Sequence, residues 1–196
     1  MTQADIKNIF QIDDIVDLPS VVSNILFDIT EVERNKVYKK LLEGNNYNIE
    51  TNWFQEMYES ELAERKQKKQ DFTPLSVATI TSLLTNKING TVHEPTAGIG
   101  TMLIADWYRK TQNYLPFEYF PSEHIIDCWE LSHRAIPLLL LNLSIRGIMG
   151  YVWHGDVLTR NVFQKYILIN HTDDALGFSS VYKVGIKDII VKNTNS

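Results

Sequence analysis

Val92-His93-Glu94-Pro95-Thr96-Ala97-Gly98-Ile99-Gly100-Thr101, running on into Met102-Leu103-Ile104-Ala105, decides the fold class of this chain. A short apolar lead ends in a carboxylate, a tight glycine turn follows, and an apolar-periodic segment starts at once. The order predicts strand, turn and helix. Gly98 and Gly100 lack a Cβ and can take positive φ, so the turn between strand and helix can approach a bound nucleoside closely. The spacing is neither the G-x-G-x-x-G dinucleotide fingerprint, which needs a third glycine, nor a P-loop, which needs Lys-Ser/Thr after the second glycine.

Outward from this turn, the chain alternates strands and helices from Phe72 onward, a texture that predicts a parallel sheet with crossover helices. Thr73 is read as N-cap and Pro74 as the first residue of a helix through Val77, Ile80, Leu83 and Leu84. Residues 86–90 form a turn and residues 91–94 the first strand. A helix over 101–109 carries Leu103, Ile104 and Trp107 on one side, and an aromatic loop over 114–121 returns the chain. Further strands are predicted at 125–130, 151–154 and 166–170, with a very apolar helix over 132–143. Beyond these only 184–191 is strand-like.

Upstream, residues 5–66 are helical in pattern. Asp17-Leu18-Pro19-Ser20 is a break, with Ser20 the expected N-cap of a helix through Val21, Val22, Ile25 and Leu26. A second apolar set, Val32, Val37, Leu41 and Leu42, stops at Glu43-Gly44-Asn45-Asn46. Trp53, Phe54, Met57, Tyr58 and Leu62 recur at spacings of three and four, an amphipathic helix whose aromatics face a core. The organisation expected is a helical N-terminal region, 1–70, and a shortened α/β core, 71–196.

Bulk properties narrow the class. Of the 196 residues 44% are hydrophobic and 22% charged, enough for a proper core. The run Ala135 to Leu143 is interrupted by Pro137 and Asn142 and is too short to span a bilayer, so no membrane partner is expected. Cys128 is the single cysteine, which excludes an internal disulfide and a multi-cysteine metal site. The polar start, Thr2, Gln3 and Asp5, is unlike a signal peptide, and a cytoplasmic location is expected. A net charge of −5 argues against a self-sufficient nucleic-acid binder. The exception is Arg65-Lys66-Gln67-Lys68-Lys69, read either as a solvated helix end or as a phosphate contact beside a ligand cleft.

Three acids terminate three successive predicted strands. Glu94 ends the first and Glu130 the second, where doubly wound sheets place an acceptor for ribose hydroxyls. Asp156, in His154-Gly155-Asp156-Val157-Leu158, follows the third and can accept from an adenine amino group. Together with the glycine turn they predict a nucleoside site.

Phe72-Thr73-Pro74 before a helix, then Glu94-Pro95-Thr96-Ala97-Gly98-Ile99-Gly100, resembles the F-x-T-P and D-P-x-x-G-x-G motifs of gamma-type adenine-specific DNA methyltransferases, most closely the modification subunit of type I restriction systems. Cys128-Trp129-Glu130-Leu131-Ser132 looks like that family's ribose-binding segment. Leu141 to Ile148 looks like the helix and turn that follow, and His154 to Leu158 is similar to its G-D-x-L segment. The matches run in order over residues 71–158, and the family's helical N-terminal region would account for much of 1–66. The chain also looks like the short cores of this type carried by phage and mobile elements.

The resemblance implies a Rossmann-like core that binds S-adenosylmethionine. Phe72, Thr73 and Pro74 would close over its methionine end, and Glu94 with Pro95, Thr96, Gly98, Gly100 and Thr101 would hold its amino acid moiety. Glu130 with Leu131 would take the ribose, and Asp156 with Val157 the adenine. A carboxylate suits the ammonium and glycine-turn amides suit the carboxylate of the ligand. Glu94 stands where the family carries Asp.

The chain departs from the family at the catalytic tetrapeptide N-P-P-Y/F, whose Asn polarises the target amino group while its aromatic residue stacks on a flipped base. After the fourth predicted strand it reads Asn170-His171-Thr172-Asp173-Asp174. Asn170 is the candidate catalytic acceptor; no prolines or aromatic residue accompany it, and His171 and Asp173 are read as turn or surface residues. The family sheet has about seven strands and a target-recognition domain, for which the residues after Asp156 do not suffice. Three functions follow: an adenine-N6 DNA methyltransferase completed by a partner or a second copy; a cofactor-binding module that regulates or interferes with a restriction–modification complex, through a specificity or restriction subunit or another regulatory protein; and methylation of another acceptor.

Overall fold

A computed structural model of the chain describes residues 1–62, 73–85 and 90–185. Phe72, the basic run 65–69, the expected boundary at 70/71 and most of the strand-like stretch 184–191 lie outside these residues.

The helical region consists of α1 (Gln3–Phe10), α2 (Leu18–Phe27), α3 (Glu31–Gly44) and α4 (Gln55–Met57), the last continuing as π-helical turns through Tyr58–Leu62. Capping boxes at Thr2/Asp5 and Thr30/Glu33 start α1 and α3, each hydroxyl accepting from the third backbone N–H while the acid reaches back. α2 begins earlier than expected. Asp17, not Ser20, is its N-cap residue, because Pro19 fits the first turn, where its missing N–H costs nothing.

Next come α5 (Leu75–Thr85), β1 (Val92–Glu94), α6 (Thr101–Thr111), β2 (Ile126–Glu130), α7 (Ala135–Ser144), β3 (Gly150–Asp156), β4 (Asn161–Ile169) and β5 (Ser180–Val184). Pro74, rather than Thr73, takes the cap position of α5, its carbonyl accepting from Ala78 N–H at 3.0 Å.

The sheet is mixed, not parallel throughout. Its order is β1-β2-β3-β4-β5, with β1–β2 and β2–β3 parallel and β3–β4 and β4–β5 antiparallel. The cause lies between Asp156 and Asn161. A parallel crossover needs a dozen or more residues, whereas residues 157–160 suffice only for a reversal, made with Arg160 at φ 59°. The fourth strand therefore returns beside the third, and β1 stays at one end of the sheet. The fold is α/β and compatible with a Rossmann-like arrangement over β1–β3.

One core joins the two regions. Every residue of α7 from Ala135 to Ser144 is buried, as expected for a helix apolar all round and enclosed on both sides. Ile126, Cys128, Val152, Tyr166 and Leu168 supply the sheet's side of this core, and Phe27 at the end of α2 stacks on Tyr166 with ring centroids 5.8 Å apart. The other face alternates outward through His93, Asp127, Tyr151 and Tyr182. Asp127 there accepts from His93 Nδ1 at 2.9 Å and from Trp153 Nε1 at 2.6 Å. No helix among the described residues is long and apolar enough to cross a membrane.

Candidate functional site

The turn after β1 has the conformation its glycines allow. Gly98 and Gly100 sit at φ 57° and 97°, and Gly100 caps α6 from the left-handed region. A Cβ on Gly100 would come to 3.0 Å from Leu139 Cδ1, a tight contact on α7, and its φ of 97° is one that L side chains rarely adopt. A Cβ on Gly98 would meet nothing within 4 Å, which leaves open space over the turn. Ala97 N–H donates to Trp129 O at 2.8 Å and fixes the turn to β2.

The three acids share one end of the sheet. Glu94 is level with Cys128 and Glu130 with His154, so the acids step outward along successive strands, with Asp156 last. Glu94 Oε1 accepts from Thr96 N–H at 3.0 Å and from its hydroxyl at 3.3 Å. Glu130 is buried, and its two oxygens accept from Gly98 N–H at 2.7 Å and Ser132 N–H at 2.6 Å. That carboxylate clamps the glycine turn to the end of β2. Leu131 beside it is 44% exposed, an apolar wall at the mouth. Asp156 accepts from Leu158 N–H at 2.9 Å and Thr159 N–H at 3.4 Å; the Leu158 bond foremost holds its carboxyl below the usual range. Val157 is half-buried next to it.

Four residues that the sequence reading did not assign to the site hold the turn from behind. Asn52 and Asn142 both donate to Ile99 O, at 3.2 and 2.9 Å, and Asn142 also donates to Asn52 Oδ1 at 3.1 Å. Thr101 Oγ1 accepts from Asn52 at 3.0 Å and donates to Gln55 at 3.1 Å, while Gln55 Nε2 donates to Thr73 O at 3.2 Å. Arg146 donates to Ile49 O at 2.9 Å, Thr51 O at 2.6 Å and Asn142 O at 2.9 Å, and lies over the Trp53 ring. Burial pushes its guanidinium down to about 9, which leaves it charged at neutral pH and directed at carbonyl oxygens. The helical region is thus a structural wall of the glycine turn. A lone amide and a cation in the leucine-rich stretch 138–148 were the visible signals; nothing in the sequence marked Asn52 or Gln55.

Asn52, Gln55 and Leu75 also line a cleft of about 790 Å³ with Asn45, Asn48 and Trp53. Glu94, Glu130 and Asp156 are not on its wall, so this cleft and the acid-lined end of the sheet meet only through the residues behind the turn.

Asn170 does not belong to this constellation. Because β4 runs antiparallel, its C-terminal end lies beside Gly150, at the far end of β3 from Asp156, about 20 Å away at the usual strand rise. Asn170 is buried and closes a loop, donating to Asp174 O at 2.8 Å and Gly177 O at 3.1 Å and accepting from Thr172 Oγ1 at 2.9 Å. The structure thus sets the candidate catalytic acceptor apart from the acid-lined end and gives it loop-closing hydrogen bonds. Asn170→Ala is expected to cost about 2 kcal/mol by stranding those loop carbonyls, seen as a lower melting temperature, with ligand affinity at the acid-lined end unchanged.

No protein-family model, curated protein or solved structure matches this chain.

Proposed function

We propose that this chain is an S-adenosylmethionine-binding module, the cofactor half of a methyltransferase-like core without the residues that use the cofactor. The observation that carries the reading is the asymmetry of the sheet: Glu94, Glu130 and Asp156 end three adjacent parallel strands around a positive-φ glycine turn, while Asn170 is built into a loop at the opposite end. The site residues fit the cofactor chemically. Gly98 opens onto free space, Leu131 offers an apolar surface to adenine, and the Glu130 carboxylate, which holds the Gly98 and Ser132 N–H groups, is an acceptor of the kind a ribose diol requires. The sequence resemblance at residues 71–158 supplies the choice of ligand.

In this reading the module acts on a restriction–modification complex, or another partner, through the bound nucleoside rather than by transferring its methyl group. The adenine-N6 methyltransferase reading requires a partner or second copy to bring an acceptor-polarising group to the acid-lined end. Two measurements test both. Calorimetric titration with S-adenosylmethionine is expected to show one binding event per chain; its absence up to millimolar ligand sinks the cofactor assignment. Incubation with labelled cofactor and unmethylated DNA is expected to give no labelled DNA, and transfer above background would overturn the module reading in favour of the enzyme.

A further inference from the structure

Arg34, near the start of α3, is a guanidinium buried without a counter-charge. Only 9% of its surface is exposed, and the one hydrogen bond it makes among the described residues runs from Nη2 to Ser180 Oγ of β5, at 3.2 Å. No carboxylate among the described residues pairs with it, and its neighbour Glu33 is taken up by the Thr30 capping box. Arg34 Nε is buried with no hydrogen-bond partner, and so are Tyr38 Oη and Ser144 Oγ. These three atoms form one nest. Arg34 and Tyr38 stand one turn apart on the same face of α3. Burial pushes the Tyr38 hydroxyl up to about 12, and the groups close enough to oppose that rise are the Arg34 guanidinium and the Ser144 hydroxyl at the end of α7. The phenol is therefore a proton donor at neutral pH. Buried donors without acceptors cost stability, and a buried charge without a partner costs more.

We propose that this nest holds one small monovalent anion, chloride, which accepts from Arg34 Nε–H, Tyr38 O–H and Ser144 O–H. Charge decides between an ion and a water molecule. A water accepts two hydrogen bonds and leaves the guanidinium uncompensated, whereas chloride accepts from all three donors and cancels the charge. The carbonyl pole of α7 would repel an anion if it were bare, but backbone donors already occupy it. Ser144 O accepts from Gly147 N–H at 3.1 Å and Ser179 N–H at 2.9 Å, and Leu143 O accepts from Ile148 N–H at 3.1 Å. The exposed part of Arg34 gives the ion a path to solvent. Bound there, it ties α3 to α7 and β5 and so seats the helical region on the sheet. The inference stands independently of the ligand at the acid-lined end.

Thermal melting at constant ionic strength, with chloride exchanged for gluconate, tests it. The wild-type melting temperature is expected to rise by about 5 °C between about 1 and about 300 mM chloride, as follows from half-saturation at about 10 mM. Arg34→Met should show no chloride-specific rise. Tyr38→Phe keeps the ring and drops one donor, so half-saturation should move upward about tenfold while chloride-free stability holds, because a hydroxyl without a partner contributes nothing there. Crystals soaked in bromide should show anomalous density within hydrogen-bond distance of Arg34 Nε. Melting that follows ionic strength alone, a chloride response unchanged in Arg34→Met or Tyr38→Phe, or bromide-soaked crystals without density at the nest would each overturn the proposal.

Discussion

Replacing Glu130 by glutamine is expected to weaken S-adenosylmethionine binding by about thirtyfold or more, the loss of roughly 2 kcal/mol for hydrogen bonds to a charged acceptor. The reason is a count of donors. Gly98 N–H and Ser132 N–H approach different oxygens of the carboxylate, and a ribose diol brings further O–H donors to the same group. Glutamine keeps one acceptor oxygen and turns an NH₂ toward one of those N–H groups, so a repulsive donor–donor contact replaces a bond. The clamp on the glycine turn loosens with it, and the same change is expected to lower folding stability by about 2 kcal/mol. Calorimetry well below the melting transition separates the two effects. Equal affinity in the variant would show that Glu130 serves the turn alone and that the ribose assignment is wrong, whereas Asn170→Ala, equally destabilising, should leave the titration as it was.

The largest loss of stability is expected from Arg146→Met. Methionine preserves the aliphatic stem but withdraws the guanidinium from Ile49 O, Thr51 O and Asn142 O, leaving buried carbonyls without donors. At about 1–3 kcal/mol for each stranded group, a total of about 3–5 kcal/mol is expected, a fall in melting temperature of about 10 °C for a chain of this size. Arg146→Lys should rescue little, because a point ammonium cannot fan out to three carbonyls as a planar fork does. The segment 49–53 carries Asn52, so loss of the arginine also releases one grip on Ile99 O, and cofactor affinity should fall together with stability. A change in melting temperature below about 2 °C would mean that segment is held by its own turns.

Strands β1 to β3 were legible because their signals are local, whereas β4 starts five residues before the expected 166 and β5, Ser180–Val184, was not expected. The apolar lead into Glu94, the two glycines and the helix after them are consecutive in the chain, and the ends of β2 and β3 are marked by an acid after an apolar run. What misled was the assumption of one strand direction throughout. The expected strands ended at 154 and resumed at 166, a gap long enough to suggest a crossover; β3 in fact runs on to Asp156 and β4 starts at Asn161, and the four residues between them hold only a reversal, which sets β4 beside β3 and Asn170 at the opposite end. The supports of the turn were hidden for a different reason. Asn52 lies 47 residues before the carbonyl it binds and Asn142 lies 43 after it, so nothing short of the folded chain brings them together. The start of α2 was misread at one position, Ser20, where a good capping residue was outweighed by a proline able to sit inside the first turn.

The strand order β1-β2-β3-β4-β5 also governs how such a chain is assembled. In a doubly wound sheet a later strand must find its place beside the first one, closing a long loop before any contact rewards it. Here each strand adds to the edge just completed, so the sheet can grow in the order in which the ribosome delivers it. The long-range closure falls elsewhere: Phe27 must meet Tyr166, and Arg34 must meet Ser180, 146 residues later. The N-terminal helices therefore complete their contacts only once β4 and β5 are in place, although α2 can already rest on the leucine face of α7.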